Sequence, residues 1–199
     1  MIVAFKKNYK RSSCCLVGTL QVMAEMMWDQ SLNPDELISE FLVGYYSSAG
    51  APFVRLYMET MHAAVNSSGY FLDFECMGPP EGVHKSYLTP TALLESATAF
   101  ANGLTATASG PEKYRIRLAR ASMANLYTIL WRWSELRSFA TNITMQWPLP
   151  ATQEAGFEKF AALFNASGTK LLTNNGLGPA ARSGSGPAAL KWLHRNIFP

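Results

Sequence analysis

The chain has 199 residues and 21.9 kDa, the size of one ordinary domain and marginal for two. Hydrophobic residues make up 48% and charged residues 16% of it, which excludes a disordered chain. A net charge of +3, from 17 basic and 14 acidic residues, excludes a strongly basic nucleic-acid binder and an acidic tail protein.

Three cysteines, Cys14, Cys15 and Cys76, cannot close a disulfide framework, and a bridge between the adjacent pair would strain the backbone. No stretch approaches the roughly 18 apolar residues of a membrane span. Lys6, Lys7, Lys10 and Arg11 precede an apolar patch of only four residues, 14–17, too short for a signal peptide.

Residues 1–15 read as a separate N-terminal segment, either a disordered tail or an artefact of where the reading frame starts. A helical domain is expected over 16–173. Leu16, Leu20, Met23 and Met27 recur at helical spacing and give one apolar face. Asn33-Pro34-Asp35-Glu36 is a helix start, with Asn33 as cap, Pro34 in the first turn and Glu36 reaching back. Leu37, Ile38, Phe41, Leu42 and Tyr45 continue it. Gly50 should break that helix and Pro52 open the next, whose inward face is Val54, Tyr57, Met58, Met61 and Val65.

Residues 70–76 partly alternate and fit a short strand, followed by the loop Gly78-Pro79-Pro80-Glu81-Gly82. Thr89-Pro90 opens a helix with Gly103 as its stop. The longest helix is expected over about 111–140, with Arg115, Arg117 and Arg120 facing solvent. Its second half is apolar almost all round and therefore central to the core. Thr152 caps a helix carrying Phe157, Phe160 and Phe164. The final stretch, 174–199, reads as a Gly/Pro/Ser-rich flexible loop and a short last helix over about 187–196. The fold class that results is all-α, an array of about six helices.

Asp73 and Glu75 share a face on a strand and have the residue types of a glycosidase acid/base pair, but a solvated edge accounts for them as well. His62, His84 and His194 have no second ligand at metal spacing, so no metal is expected. Cys76 near His84 has the makings of a thiol nucleophile, against which stands a buried inert thiol. Gly176-Leu177-Gly178-Pro179 lacks the strand and helix register of a dinucleotide loop, and no cofactor is expected. Asn66-Ser67-Ser68, Asn142-Ile143-Thr144 and Asn165-Ala166-Ser167 match the N-glycosylation pattern, which matters only if the chain enters a secretory pathway. Trp28, Tyr45 and Tyr46 sit at helix ends, where an aromatic face can stack on a sugar ring, and are the ligand-contact candidates.

The stretch from Met26 to Tyr46, with its Met27-Trp28-Asp29, Glu40-Phe41 and Gly44-Tyr45-Tyr46 phrases, resembles a known pattern when joined to Arg55-Leu56-Tyr57. It is similar to the segment leaving the catalytic barrel in a glycoside-hydrolase-like family of uncharacterised function. The barrels of that family are similar to those of α-glucuronidases and β-hexosaminidase-type enzymes, and a helical C-terminal region follows them. The resemblance covers about 17–170 and is sharpest over 23–65. It implies that this chain is the helical accessory region of a carbohydrate-active protein, buttressing the barrel, with Trp28, Tyr45 and Tyr46 as candidates for its rim and a structural role equally open for the tyrosine pair.

Two departures accompany it. Ser47 stands where the family has glycine after the tyrosine pair, which alters that turn. The barrel itself, about 250 residues, is missing apart from a last helix over roughly 16–28. No catalytic residue is therefore carried over, and the isolated chain is expected to be inactive. Its partner is then the missing N-terminal barrel, with carbohydrate as ligand and secretion implied if the sequons are used. The alternative is a free-standing helical module that binds another protein or itself, and neither reading involves nucleic acid.

Overall fold

The computed structural model describes residues 14–69, 81–166 and 186–198. Among these residues there are seven α-helices and no strand. They are α1 (Cys14–Trp28), α2 (Pro34–Ser68), α3 (Pro90–Ala106), α4 (Glu112–Trp131), α5 (Trp133–Asn142), α6 (Gln153–Ala166) and α7 (Gly186–Ile197). A 3-10 turn, Glu81–His84, precedes α3. No helix among the described residues is long and apolar enough to cross a membrane. The strand expected over 70–76, with Asp73, Glu75 and Cys76, lies outside the described residues, as do the loop over 174–185 and most of the segment 1–15.

The helix starts follow their local chemistry. Asn33 has extended backbone and its side chain accepts from Asp35 N–H at 3.0 Å, with Pro34 in the first turn. Glu36 stays exposed and does not complete a capping box. Thr89 caps α3 in the same way, Oγ1 accepting from Ala92 N–H at 3.2 Å. Gly69, in the left-handed region at φ 62°, ends α2.

Three expected boundaries move. The break in α2 falls at Ser47, at φ 71° and ψ 163°, and not at Gly50. Ser47 caps the second half of α2, its hydroxyl accepting from Gly50 N–H at 3.3 Å. Arg55 then reaches back to the Ser39 hydroxyl at 2.7 Å. In a straight helix those residues would stand about 24 Å apart along the axis, so α2 is two helices folded against each other at a sharp corner.

Gly103 does not end α3, which runs on to Ala106. It is where α3 meets α2 and α4: a Cβ there would stand 3.1 Å from both Phe53 Cβ and Leu118 Cδ2. The helix expected over 111–140 is two helices, parted at Arg132 with φ −114° and ψ 22°. No Pro or Gly marks that break. Arg132 is buried, and its guanidinium donates to the carbonyls of Val83 (3.2 Å) and Leu88 and, in a bidentate pair, to Glu135.

The core has two parts that share α3 and α4. In the first, Leu42, Tyr46 and Val54 of the α2 corner pack on Phe100 and Leu118. In the second, Leu94, Ile129, Leu130 and Leu136 pack on Phe160 and Phe164 of α6 and Leu193 of α7. The expectation that the chain around 126–133 is central holds, because α4 touches α2, α3, α5 and α6. The end of α5 is closed by a Schellman motif, Met145 N–H to Ala140 O at 2.8 Å and Thr144 N–H to Thr141 O at 3.3 Å. Its left-handed position, at φ 55°, is occupied by Thr144 where glycine is the usual residue.

Candidate functional site

The aromatic candidates divide by burial. Trp28, the last residue of α1, is 94% exposed, and Met27 beside it 81%. Met23, one turn earlier, is 54% exposed. Single exposed apolar residues are ordinary, but three large ones on one short helix form an uncovered row. Tyr45 is half-buried. Tyr46, expected as a ligand contact, is 1% exposed, so its ring belongs to the core and is closed to a ligand in this fold.

Tyr45 and Tyr46 sit directly before the Ser47 corner. Their rings meet edge to face at 5.0 Å, and Phe41 stacks on Tyr45 at 5.3 Å. Arg117, expected to face solvent, closes this cluster. Its guanidinium lies 4.1 Å from the centre of the Tyr45 ring and donates to the Tyr45 carbonyl at 3.0 Å. That carbonyl is the acceptor orphaned where the helix breaks, so one arginine holds both the ring and the backbone of the corner. The charge pattern of the sequence made Arg117 one of a solvated trio. What it missed is that a helix break on a neighbouring element needs a donor.

A second polar feature is Lys159 on α6. With Asn125, Ser122 and apolar side chains of α3 and α4 it lines a narrow cavity. Burial holds its ammonium pKa below the ordinary lysine value. Tyr127, half-buried, has its phenol pushed up to about 12 by desolvation.

The three sequon asparagines are all exposed. Asn66 lies in the last turn of α2, where the hydroxyls of Ser67 and Ser68 donate back to the carbonyls of Ala64 (3.1 Å) and Val65 (2.9 Å). Asn142 is the last residue of α5, and Asn165 lies near the end of α6. His62 and His84 are exposed on separate elements. No group of three or more His, Cys, Asp or Glu able to hold a metal ion occurs among the described residues.

No protein-family model, no curated protein and no solved structure gives a significant match to this chain.

Proposed function

We propose that this chain is the C-terminal helical accessory region of a carbohydrate-active, glycosidase-like protein, built to pack on a catalytic barrel outside these 199 residues. The observation that carries the reading is the backbone at Ser47. Its φ of 71° and ψ of 163° belong to a region used almost only by glycine. The resembling pattern has glycine at this position, after the tyrosine pair. A glycine at this position would adopt the corner without strain, which supports the reading.

The exposed row on α1 supports the same reading. Met23, Met27 and Trp28 form the face that a preceding barrel would cover. In this arrangement Trp28 and Tyr45 are the side chains offered to the rim, and Tyr46 supports them from the core. Asn66, Asn142 and Asn165 are the positions that would carry glycans if the protein is secreted. The helices provide buttress and rim and no catalytic group of their own.

The same row also favours the second reading, a free-standing module that uses α1 to bind another protein or a second copy. The intact mass of the native protein in its source, with peptide coverage upstream of Leu16, separates the two. A native chain longer by about 250 residues is the expected result. A native chain that starts at Met1 would overturn the barrel reading and leave the module.

A further inference from the structure

The charge of the chain is unevenly placed. None of its 14 acidic residues lies beyond Glu158, whereas five of its 17 Lys and Arg do. Two of those five, Lys191 and Arg195, stand one turn apart on α7 and are exposed. Among the described residues neither has an ion pair, although Glu154 and Glu158 lie on the adjoining α6.

These cations border a cleft between α6 and α7 with a volume of about 380 Å³. Its floor is apolar: Phe157 and Ala161, one turn apart on α6, face Leu190 of α7. His194 also lines it, its ring edge-on to Phe157 at 5.1 Å and against Phe198 at 4.8 Å. Leu193, fully buried, anchors α7 to the core, so the wall carrying the cations is fixed by packing.

We infer that this cleft binds a small carboxylate with an apolar body, such as an alkyl carboxylate. The apolar part lies on Phe157, Ala161 and Leu190, and the carboxylate meets Lys191 and Arg195 at the rim. The size falls within the range of small-ligand clefts, about 300–1,000 Å³, and is too small to seat a partner helix. Two cations with no ion pair among the described residues, beside an apolar floor, match both ends of such a molecule. The inference stands apart from the barrel reading, since the cleft shares no residue with α1 or the α2 corner.

The test is calorimetric titration of the full chain with decanoate below its micellar range, with decan-1-ol as the uncharged counterpart. One-site decanoate binding is expected, weakened by added salt and clearly tighter than that of decan-1-ol. The paired substitution Lys191→Gln and Arg195→Gln, at exposed positions, should weaken it roughly tenfold. Ala161→Phe, which fills the floor and keeps both cations, should abolish it, with the helical circular dichroism of each variant unchanged. Absence of decanoate binding, equal affinity for decan-1-ol, or insensitivity to the paired substitution would each overturn the inference. Binding to phosphatidylglycerol vesicles without binding to free decanoate would also overturn it and assign the basic end to an anionic surface.

Discussion

Replacing Ser47 by glycine should make the protein more stable, an unusual direction for a substitution in the middle of a long helix. At φ 71° and ψ 163° an L-residue carries strain of about 1–3 kcal/mol, from which glycine is free. Two effects oppose the gain. The hydroxyl that caps the second half of α2 through Gly50 N–H is lost, which for a change to glycine costs a few tenths of a kcal/mol. Glycine also loses about 0.5–1 kcal/mol more backbone entropy on folding. The balance is a net gain of about 1 kcal/mol for Ser47→Gly, or about 2–4 °C in melting temperature for a chain of this length. Ser47→Ala keeps the strain and removes the cap, so it should lose about 1 kcal/mol. Thermal and urea unfolding of the three proteins, followed by circular dichroism, should rank them glycine, serine, alanine. A glycine variant no more stable than the alanine variant would show that the corner is not held at positive φ, and the argument from backbone geometry would fail.

Gly156 is a second sensitive point. A Cβ there would meet the Trp133 ring at 2.6 Å, and that indole is pinned edge-on against Trp147 at 5.0 Å. Gly156→Ala should cost about 1–3 kcal/mol in urea unfolding, outweighing the usual gain of alanine in a helix. Glu135 is held below the usual carboxylate range by its hydrogen bonds to Arg132. Its contribution is therefore complete above the unfolded pKa, about 4.3, and disappears as pH falls through the lower folded value. Glu135→Gln should cost about 1 kcal/mol at pH 7, the side chain being partly solvated, and the gap to the parent should close below about pH 4. Lys159 has its folded pKa lowered by burial, so its charge opposes folding at neutral pH. The side chain is partly solvated, which screens this cost, so Lys159→Met should raise stability at pH 7 by no more than about 0.5 kcal/mol, and a lower melting temperature would refute the assignment.

How much of this was legible in the sequence depends on how local each cause is. The caps at Asn33 and Thr89 act within three residues, so their residue types alone place the helix starts. The period of α4 places it at the centre, because a helix apolar on most sides has to be buried on most sides. The breaks at Ser47 and Arg132 have causes that lie elsewhere in the chain. Arg117, 72 residues beyond Tyr45, holds the first, and the Val83 and Leu88 carbonyls, more than forty residues before Arg132, hold the second. Glycine misled for a related reason: Gly50 and Gly103 sit in helix interiors where neighbours crowd a Cβ, and not at ends where φ turns positive. Among the aromatic candidates, proximity to a helix end did not separate Trp28, in solvent, from Tyr46, in the core. Only the corner between Tyr46 and Gly50 turns one ring inward.

The division of the core into two parts has a consequence for synthesis. The first part, Leu42, Tyr46, Val54, Phe100, Leu118 and Ala121, is complete in the chain before α5 begins. A nascent polypeptide, emerging N-terminus first, has the whole of that nucleus before α6 or α7 has been translated. The second part needs Phe160 and Phe164 of α6 and Leu193 of α7. On the ribosome the α2 corner can therefore close on α3 and α4 while the far sides of those two helices still wait for their cover. That interval leaves Leu130 and Leu136 exposed to any chaperone that reads apolar helix faces, and it ends only when α6 and α7 have emerged and docked.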